Sequence, residues 1–208
     1  PEDKKRFEED VQQFLGAVKV IGIDTKVETL DRILVASSAV IPLFGFPGWT
    51  YTKLNEVLLY PRQFDRDFRT EGEDRRILGM VGDGYMSRTM VLSRPALHQS
   101  FSSKSSKSHL GIHEFVHLLD KADGSTDGVP EIFLDNEFIH PWAEFIRKKI
   151  EEMRDQGSDI DGYGATSPSE FFPVVAEYFF KRPQLLEKKH PKLYQQMEKI
   201  FRQDLTDS

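Results

Sequence analysis

Two histidines and a glutamate stand within five consecutive residues, His113-Glu114-Phe115-Val116-His117. On a helix, residues four apart share one face, so His113 and His117 can both reach a single metal ion at about 2.0–2.1 Å. Glu114 lies beside them, where it can take a proton from water activated by the ion and pass it to a leaving amine. The spacing therefore predicts a hydrolytic zinc site.

An incidental match is the alternative, because the chain holds six histidines in 208 residues. Apolar neighbours favour the metal, since they predict a helix that is buried on several sides: Leu110, Ile112, Phe115, Val116, Leu118 and Leu119. A buried polar group without a partner costs about 1–3 kcal/mol, and one shared ion would satisfy both imidazoles.

The third zinc ligand is expected on a later helix, because a catalytic zinc ion takes three protein ligands and leaves a position open for water. Metzincin spacing is excluded, since it needs a glycine and a histidine where this chain has Asp120 and Asp123. Residues 163–180 read as a loop followed by an apolar helix, on which Glu170 and Glu177 share a face. Spacing alone leaves the ligand open between these two glutamates.

Glu170 also has a purely structural interpretation. Ser167, Pro168 and Glu170 stand at the N-cap, first and third positions of the predicted helix, which is the pattern of a capping box.

Three segments together resemble the Mlc titration factor A family of bacterial zinc peptidases: HEFVHLLD (113–120), DGVP (127–130) and YGATSPSEFF (163–172). More remotely, they resemble the catalytic domain of anthrax lethal factor. In the family, the HExxH sequence is followed by a tyrosine and, seven residues later, by the glutamate ligand. The resemblance, which covers roughly residues 30–205, implies that His113, His117 and Glu170 bind zinc. It also implies that Glu114 activates water and that the Tyr163 hydroxyl stabilises the oxyanion.

One segment departs from the family pattern. Family members carry a tryptophan-bearing turn and a strand ending in Leu-Ser-Trp, where this chain has residues 82–94 and ends the strand with Arg94. The run from Arg88 to Ser93 is expected to be an edge strand beside the catalytic helix, where a substrate backbone can pair. The departure bears on substrate preference and leaves the metal chemistry unchanged.

Two acids are candidates for orienting the ligands, because zinc-bound histidines commonly donate their second ring N–H to a carboxylate. Asp120 follows His117 by three residues, and Glu177 shares a face with Glu170. A cap or a solvated residue at the helix end is an equal alternative for Asp120. His109 is expected to be a solvated residue in the first helical turn.

Composition limits the partners and the compartment. The net charge of −6 and the absence of a basic face argue against nucleic acid, and residues 100–108 are expected to form a flexible surface loop. The chain has no cysteine, which is compatible with the predicted cytoplasmic location. Residues 33–52 hold no charge, but Pro42 and later glycines and prolines favour a short buried helix over 29–39 rather than a membrane span. The chain starts at Pro1, which leaves room for an upstream segment.

The elements predict one helix-rich α+β domain over residues 1–208, with an N-terminal helical part to about 50 and a zincin-like catalytic core after it. Other helices are expected near 3–16, 94–101, 109–121, 139–155, 168–181 and 190–203, and strands near 55–60, 77–81 and 88–93. The predicted activity is that of a gluzincin with one zinc ion per chain. The resemblance implies aminopeptidase-like action on short peptides and a transcriptional repressor as a partner. The alternative is a non-catalytic zinc protein that sequesters a regulator.

Overall fold

The computed structural model describes residues 2–63, 78–81 and 88–206. In these residues the chain forms eight α-helices and four β-strands, which confirms the predicted helix-rich α+β class. Their order is α1 (Glu2–Ala17), β1 (Lys19–Gly22), α2 (Thr29–Leu43), β2 (Glu56–Tyr60), β3 (Gly79–Val81), β4 (Thr89–Ser93), α3 (Arg94–Ser102), α4 (Leu110–Asp120), α5 (Asn136–Gln156), α6 (Pro168–Lys181), α7 (Pro183–Lys189) and α8 (Pro191–Phe201).

Contacts divide the chain into two compact units, and the division falls inside helix α4. The first unit consists of Pro1–Lys104 with His109–Glu114, and the second of Ser105–Ser108 with Phe115–Ser208. The single domain over residues 1–208 stays a prediction.

A four-stranded sheet in the order β1-β2-β4-β3 organises the first unit. β1 and β4 run parallel to β2, whereas β3 runs antiparallel to β4. The strand expected at 88–93 is present as β4, but its predicted edge position is wrong, because β3 pairs along its outer side. Among the described strands, β3 and β1 form the two edges. The predicted turn at 82–87 lies outside the described residues.

Helix α2 runs to Leu43, four residues beyond the predicted end. Pro42 falls in the last turn, where a proline removes one backbone hydrogen bond without breaking the turns before it. The helix is buried on one face only, where Val35, Ala36 and Ala39 are fully inaccessible, whereas Leu30 and Ile33 are exposed. Among the described residues, none of the helices combines the length and the apolar character that a membrane span needs.

A buried aspartate at the start of α2 holds α3 in place. Asp31 accepts hydrogen bonds from Arg94 Nε at 2.8 Å, from His98 Nε2 at 2.6 Å and from the Glu28 N–H at 2.7 Å. Burial alone would raise the pKa of this carboxyl, but these partners lower it below its ordinary value.

Aromatic side chains form the core of the second unit. Phe171, Phe172 and Phe179 on α6 are fully buried. The Phe172 ring stacks on Phe201 of α8, with 5.7 Å between the centroids, and meets Trp142 of α5 edge-on at 6.1 Å. These contacts hold helix α6, which carries Glu170, in place.

Candidate metal centre

Helix α4 begins next to a buried histidine. His109 is 2% exposed, so the solvated position predicted for it is wrong. Its Nδ1 accepts the Ile112 N–H at 3.2 Å, and its ring meets Phe101 edge-on with 4.5 Å between centroids. Ser100 Oγ accepts the Leu110 N–H at 2.9 Å. These bonds satisfy backbone donors that a helix start leaves open, which explains why both polar side chains are buried.

The two histidines of the HExxH sequence lie together with one glutamate of α6. Nitrogens of His113 and His117 and a carboxylate oxygen of Glu170 all lie within 4.8 Å of one another. His117 Nε2 is 3.4 Å from Glu170 Oε2. Donors that share one tetrahedral zinc ion at about 2.0–2.2 Å are themselves about 3–4 Å apart. Two imidazoles and a carboxylate are also a ligand set of catalytic zinc sites, so the residues fit this metal.

Glu170 takes part in the cap of helix α6 through its backbone N–H, which leaves its carboxylate available as a metal ligand. Ser167 Oγ accepts the Glu170 N–H at 3.2 Å, and Pro168 occupies the first turn, as the sequence predicts. The carboxylate of Glu170 faces His117 instead. Glu177 is buried further along α6 and does not belong to the histidine cluster found among the described residues.

Glu114 is buried, at 6% exposed, and its carboxylate lies against the backbone of Gly79 in strand β3. The sequence motifs gave no indication of this glycine, because the contact joins residues that are 35 positions apart.

Tyr163 lies on a short 3-10 turn, Gly162–Ala165, just before the N-cap of α6. Asp161 Oδ1 accepts the Tyr163 N–H at 2.9 Å, and Arg154 Nε donates to the carbonyl of Ala165 at 2.9 Å. The turn is therefore fixed at both ends, while the tyrosine itself is 53% exposed. Its role toward an oxyanion stays a prediction.

Asp120 is fully buried at the end of α4, so its solvated alternative is wrong. Its Oδ2 accepts the N–H of Gly128, in the DGVP segment, at 2.9 Å, and Trp142 Nε1 donates to the Gly128 carbonyl at 2.9 Å. Burial raises the pKa of Asp120 to about 7, despite the bond from Gly128. A contact with the second nitrogen of His117 stays a prediction.

A helix-rich α+β domain whose HExxH helix meets a glutamate from a later helix is the arrangement of zincin-like metallopeptidases. Comparison with known sequences agrees with this class. The sequence model of the glucose-regulated metallo-peptidase M90 family matches residues 1–202, and the chain belongs to this family.

Relatives support the same assignment. The chain is 32% identical to Mlc titration factor A of Pectobacterium atrosepticum over 218 residues. This alignment covers 98% of this chain and 80% of the relative. It is 33% identical over 164 residues to Mlc titration factor A of Serratia proteamaculans, covering 72% of this chain and 60% of that protein. An uncharacterized protein of Synechocystis is 28% identical over 214 residues, 97% of this chain and 77% of its own length. The predicted resemblance to the Mlc titration factor A family is confirmed, and a metallopeptidase family implies a metal ion.

Proposed function

We propose that the protein is a zinc-dependent peptidase of the gluzincin type, with His113, His117 and Glu170 as the three ligands. The observation that carries this proposal is the cluster of their donor atoms within 4.8 Å. The ligand chemistry supports zinc, since imidazole and carboxylate donors together suit this ion.

Zinc in this cluster would polarise a peptide carbonyl and lower the pKa of water toward 7. Glu114 takes the proton of the attacking water at its carboxylate and delivers it to the amine that leaves. The Tyr163 hydroxyl donates a hydrogen bond to the oxyanion of the tetrahedral intermediate. Its exposed position supports this role, because a group that serves a substrate must be reachable from solvent.

The substrates proposed from the family resemblance are short peptides, cleaved from their amino ends in the cytoplasm. Relatives named Mlc titration factor A suggest a link to a regulator, so a transcriptional repressor is the second proposed partner. Asp120 and Glu177, both buried, are proposed to orient the zinc ligands.

The test is incubation of the zinc-loaded protein with a diverse peptide mixture, followed by mass spectrometry of the products. Glu114→Gln should retain one zinc ion per chain and lose cleavage by about 10²-fold or more, because the amide cannot accept the proton. Glu144→Gln, at an exposed position of α5, is the matched control and should cleave like the wild type.

Chelation should abolish cleavage, and added zinc should restore it. Products shortened from the amino end would support aminopeptidase action, whereas internal cleavage would contradict it. A Glu114→Gln variant with full activity would exclude the proposed base. Bound zinc without cleavage of any peptide by the wild type would instead favour the non-catalytic binding protein.

A further inference from the structure

Strand β3 passes so close to Glu114 that no side chain fits between them. A Cβ atom placed on Gly79 would lie 2.6 Å from Glu114 Oε1, 2.7 Å from its Cγ and 2.8 Å from its Cδ. All three distances are far below the 3.5–4.0 Å of favourable non-bonded contacts. Because three consecutive atoms are involved, rotation of the carboxylate group alone does not relieve the contact.

The strand cannot easily move away from the glutamate. Gly79 is in register with Leu92 of β4, and the Ser93 N–H donates to the Leu78 carbonyl at 2.7 Å. Every residue of β4 is buried, so β3 is tied to the interior of the sheet. The helix is equally fixed within the first unit, since Ile112 is buried and a Cβ at Gly111 would lie 2.2 Å from Ser38 Oγ of α2. An added methyl group must therefore displace the Glu114 side chain.

We propose that Gly79 is a positioning residue for the general base: the missing side chain lets the Glu114 carboxylate lie against strand β3, and the strand backbone sets its position. The inference rests on the proposed catalytic role of Glu114. It assigns a function to a residue outside the HExxH sequence and outside the ligand set. It also gives the edge strand a task that is separate from any pairing with substrate.

Four variants test the proposal: Gly79→Ala, Glu114→Ala, the double variant, and Gly16→Ala as a control. Gly16 is suitable because a Cβ there, in α1, meets nothing within 4 Å. Zinc content, the melting temperature Tm, and kcat and KM for the best-cleaved peptide are measured for each variant.

Gly79→Ala should retain the wild-type zinc content and a KM within about twofold, while kcat falls by about 100-fold, the cost of misplacing a catalytic group by about 1 Å. Its Tm should fall by about 5 °C because of overpacking. This fall should disappear in the Glu114→Ala background, where the carboxylate has been removed. Gly16→Ala should match the wild type in kcat.

Two results would overturn the proposal. One is a Gly79→Ala enzyme with the kcat of the Gly16→Ala control. The other is an equal fall in Tm with and without the Glu114 side chain, since the strain would then lie elsewhere in β3. If the wild type cleaves no peptide, the proposed function fails, whereas the coupled change in Tm still decides whether Gly79 holds Glu114.

Discussion

Asp159 and Asp120 are two aspartates of the second unit whose hydrogen-bond donors differ in kind. Four side chains donate to the Asp159 carboxylate: Lys107, Tyr178 and His190, each at 2.7 Å, and Lys189 at 3.1 Å. Burial by itself would raise the pKa of Asp159, but these donors hold it far below its ordinary value. The cluster gathers residues from the loop before α4, from α6 and from the junction of α7 and α8.

Asp120 has one backbone donor, the Gly128 N–H, and its Oδ1 has no hydrogen-bond partner in the part of the chain that the structure describes. Burial therefore dominates and raises its pKa to about 7. The two aspartates join segments of the second unit in different ways. Side-chain donors, two of them lysines, join the segments at Asp159, whereas backbone shape at Gly128 joins the end of α4 to α5 and to the start of α6.

Gly128→Ala should have the largest effect, because the added methyl group strains the backbone of residue 128 and also overlaps with Pro168. Gly128 has φ +81°, and a Cβ there would lie 2.2 Å from the Pro168 carbonyl oxygen. Strain in the left-handed region costs about 1–2 kcal/mol, and overpacking adds about 1–3 kcal/mol. We expect the free energy of unfolding, measured in urea, to fall by about 3–4 kcal/mol.

Gly124→Ala separates the two costs, because Gly124 has φ +105° with nothing within 4 Å of its Cβ position. This control should lose only about 1–2 kcal/mol, the cost of left-handed backbone. Equal losses in the two variants would show that contact with Pro168 does not constrain the junction.

Asp159→Ala should have the next largest effect, about 2–3 kcal/mol, because hydrogen bonds to a charged group are lost and their donors keep no common acceptor. Asp155→Ala, at an exposed position of α5, should change the free energy of unfolding by less than about 0.5 kcal/mol.

The pKa of Asp159 is lowered in the folded protein. Its contribution is therefore complete above the unfolded pKa of about 3.9 and declines progressively as the pH falls from there toward the lowered pKa of the folded protein. A difference between Asp159→Ala and wild type that does not shrink between pH 5 and pH 2 would contradict the charge-based junction.

The sequence predicted the elements with strong local signals. Helix α6 begins at Pro168 and ends at Lys181 as expected, because Ser167 caps it and a continuous apolar run follows. Strand β1 was not predicted, since four residues give too little alternation. Helix α7 was also missed, because Arg182 precedes it without the side chain of a usual N-cap residue.

In the candidate site, too, residues close in sequence could be predicted, whereas contacts between distant segments could not. Residues close in sequence, His113 and His117, could be placed on one helix face, and family resemblance supplied Glu170. The contacts of Gly79 and Gly128 join distant segments. No local pattern marks Gly79, and the DGVP segment marks Gly128 by family resemblance without indicating its contact with Pro168. The edge position of β3 could not be read for the same reason, because strand order depends on pairing between distant residues.

Asp120→Asn should have the smallest effect and the opposite pH dependence from the Asp159 variant. A carboxyl whose pKa rises from 3.8 to about 7 on folding binds a proton more tightly in the folded protein. Its contribution to stability is therefore present at low pH and is lost as the pH rises through 7. The neutral amide of asparagine does not titrate. Measured in urea on the chelated, metal-free protein, the free energy of unfolding of Asp120→Asn should gain about 1–2 kcal/mol on the wild type between pH 5 and pH 8. Asp155→Asn should keep a constant difference from the wild type over the same range. If Asp120→Asn does so too, the buried carboxyl titrates at its ordinary pKa. The two aspartates then differ in their hydrogen-bond partners but not in their charge.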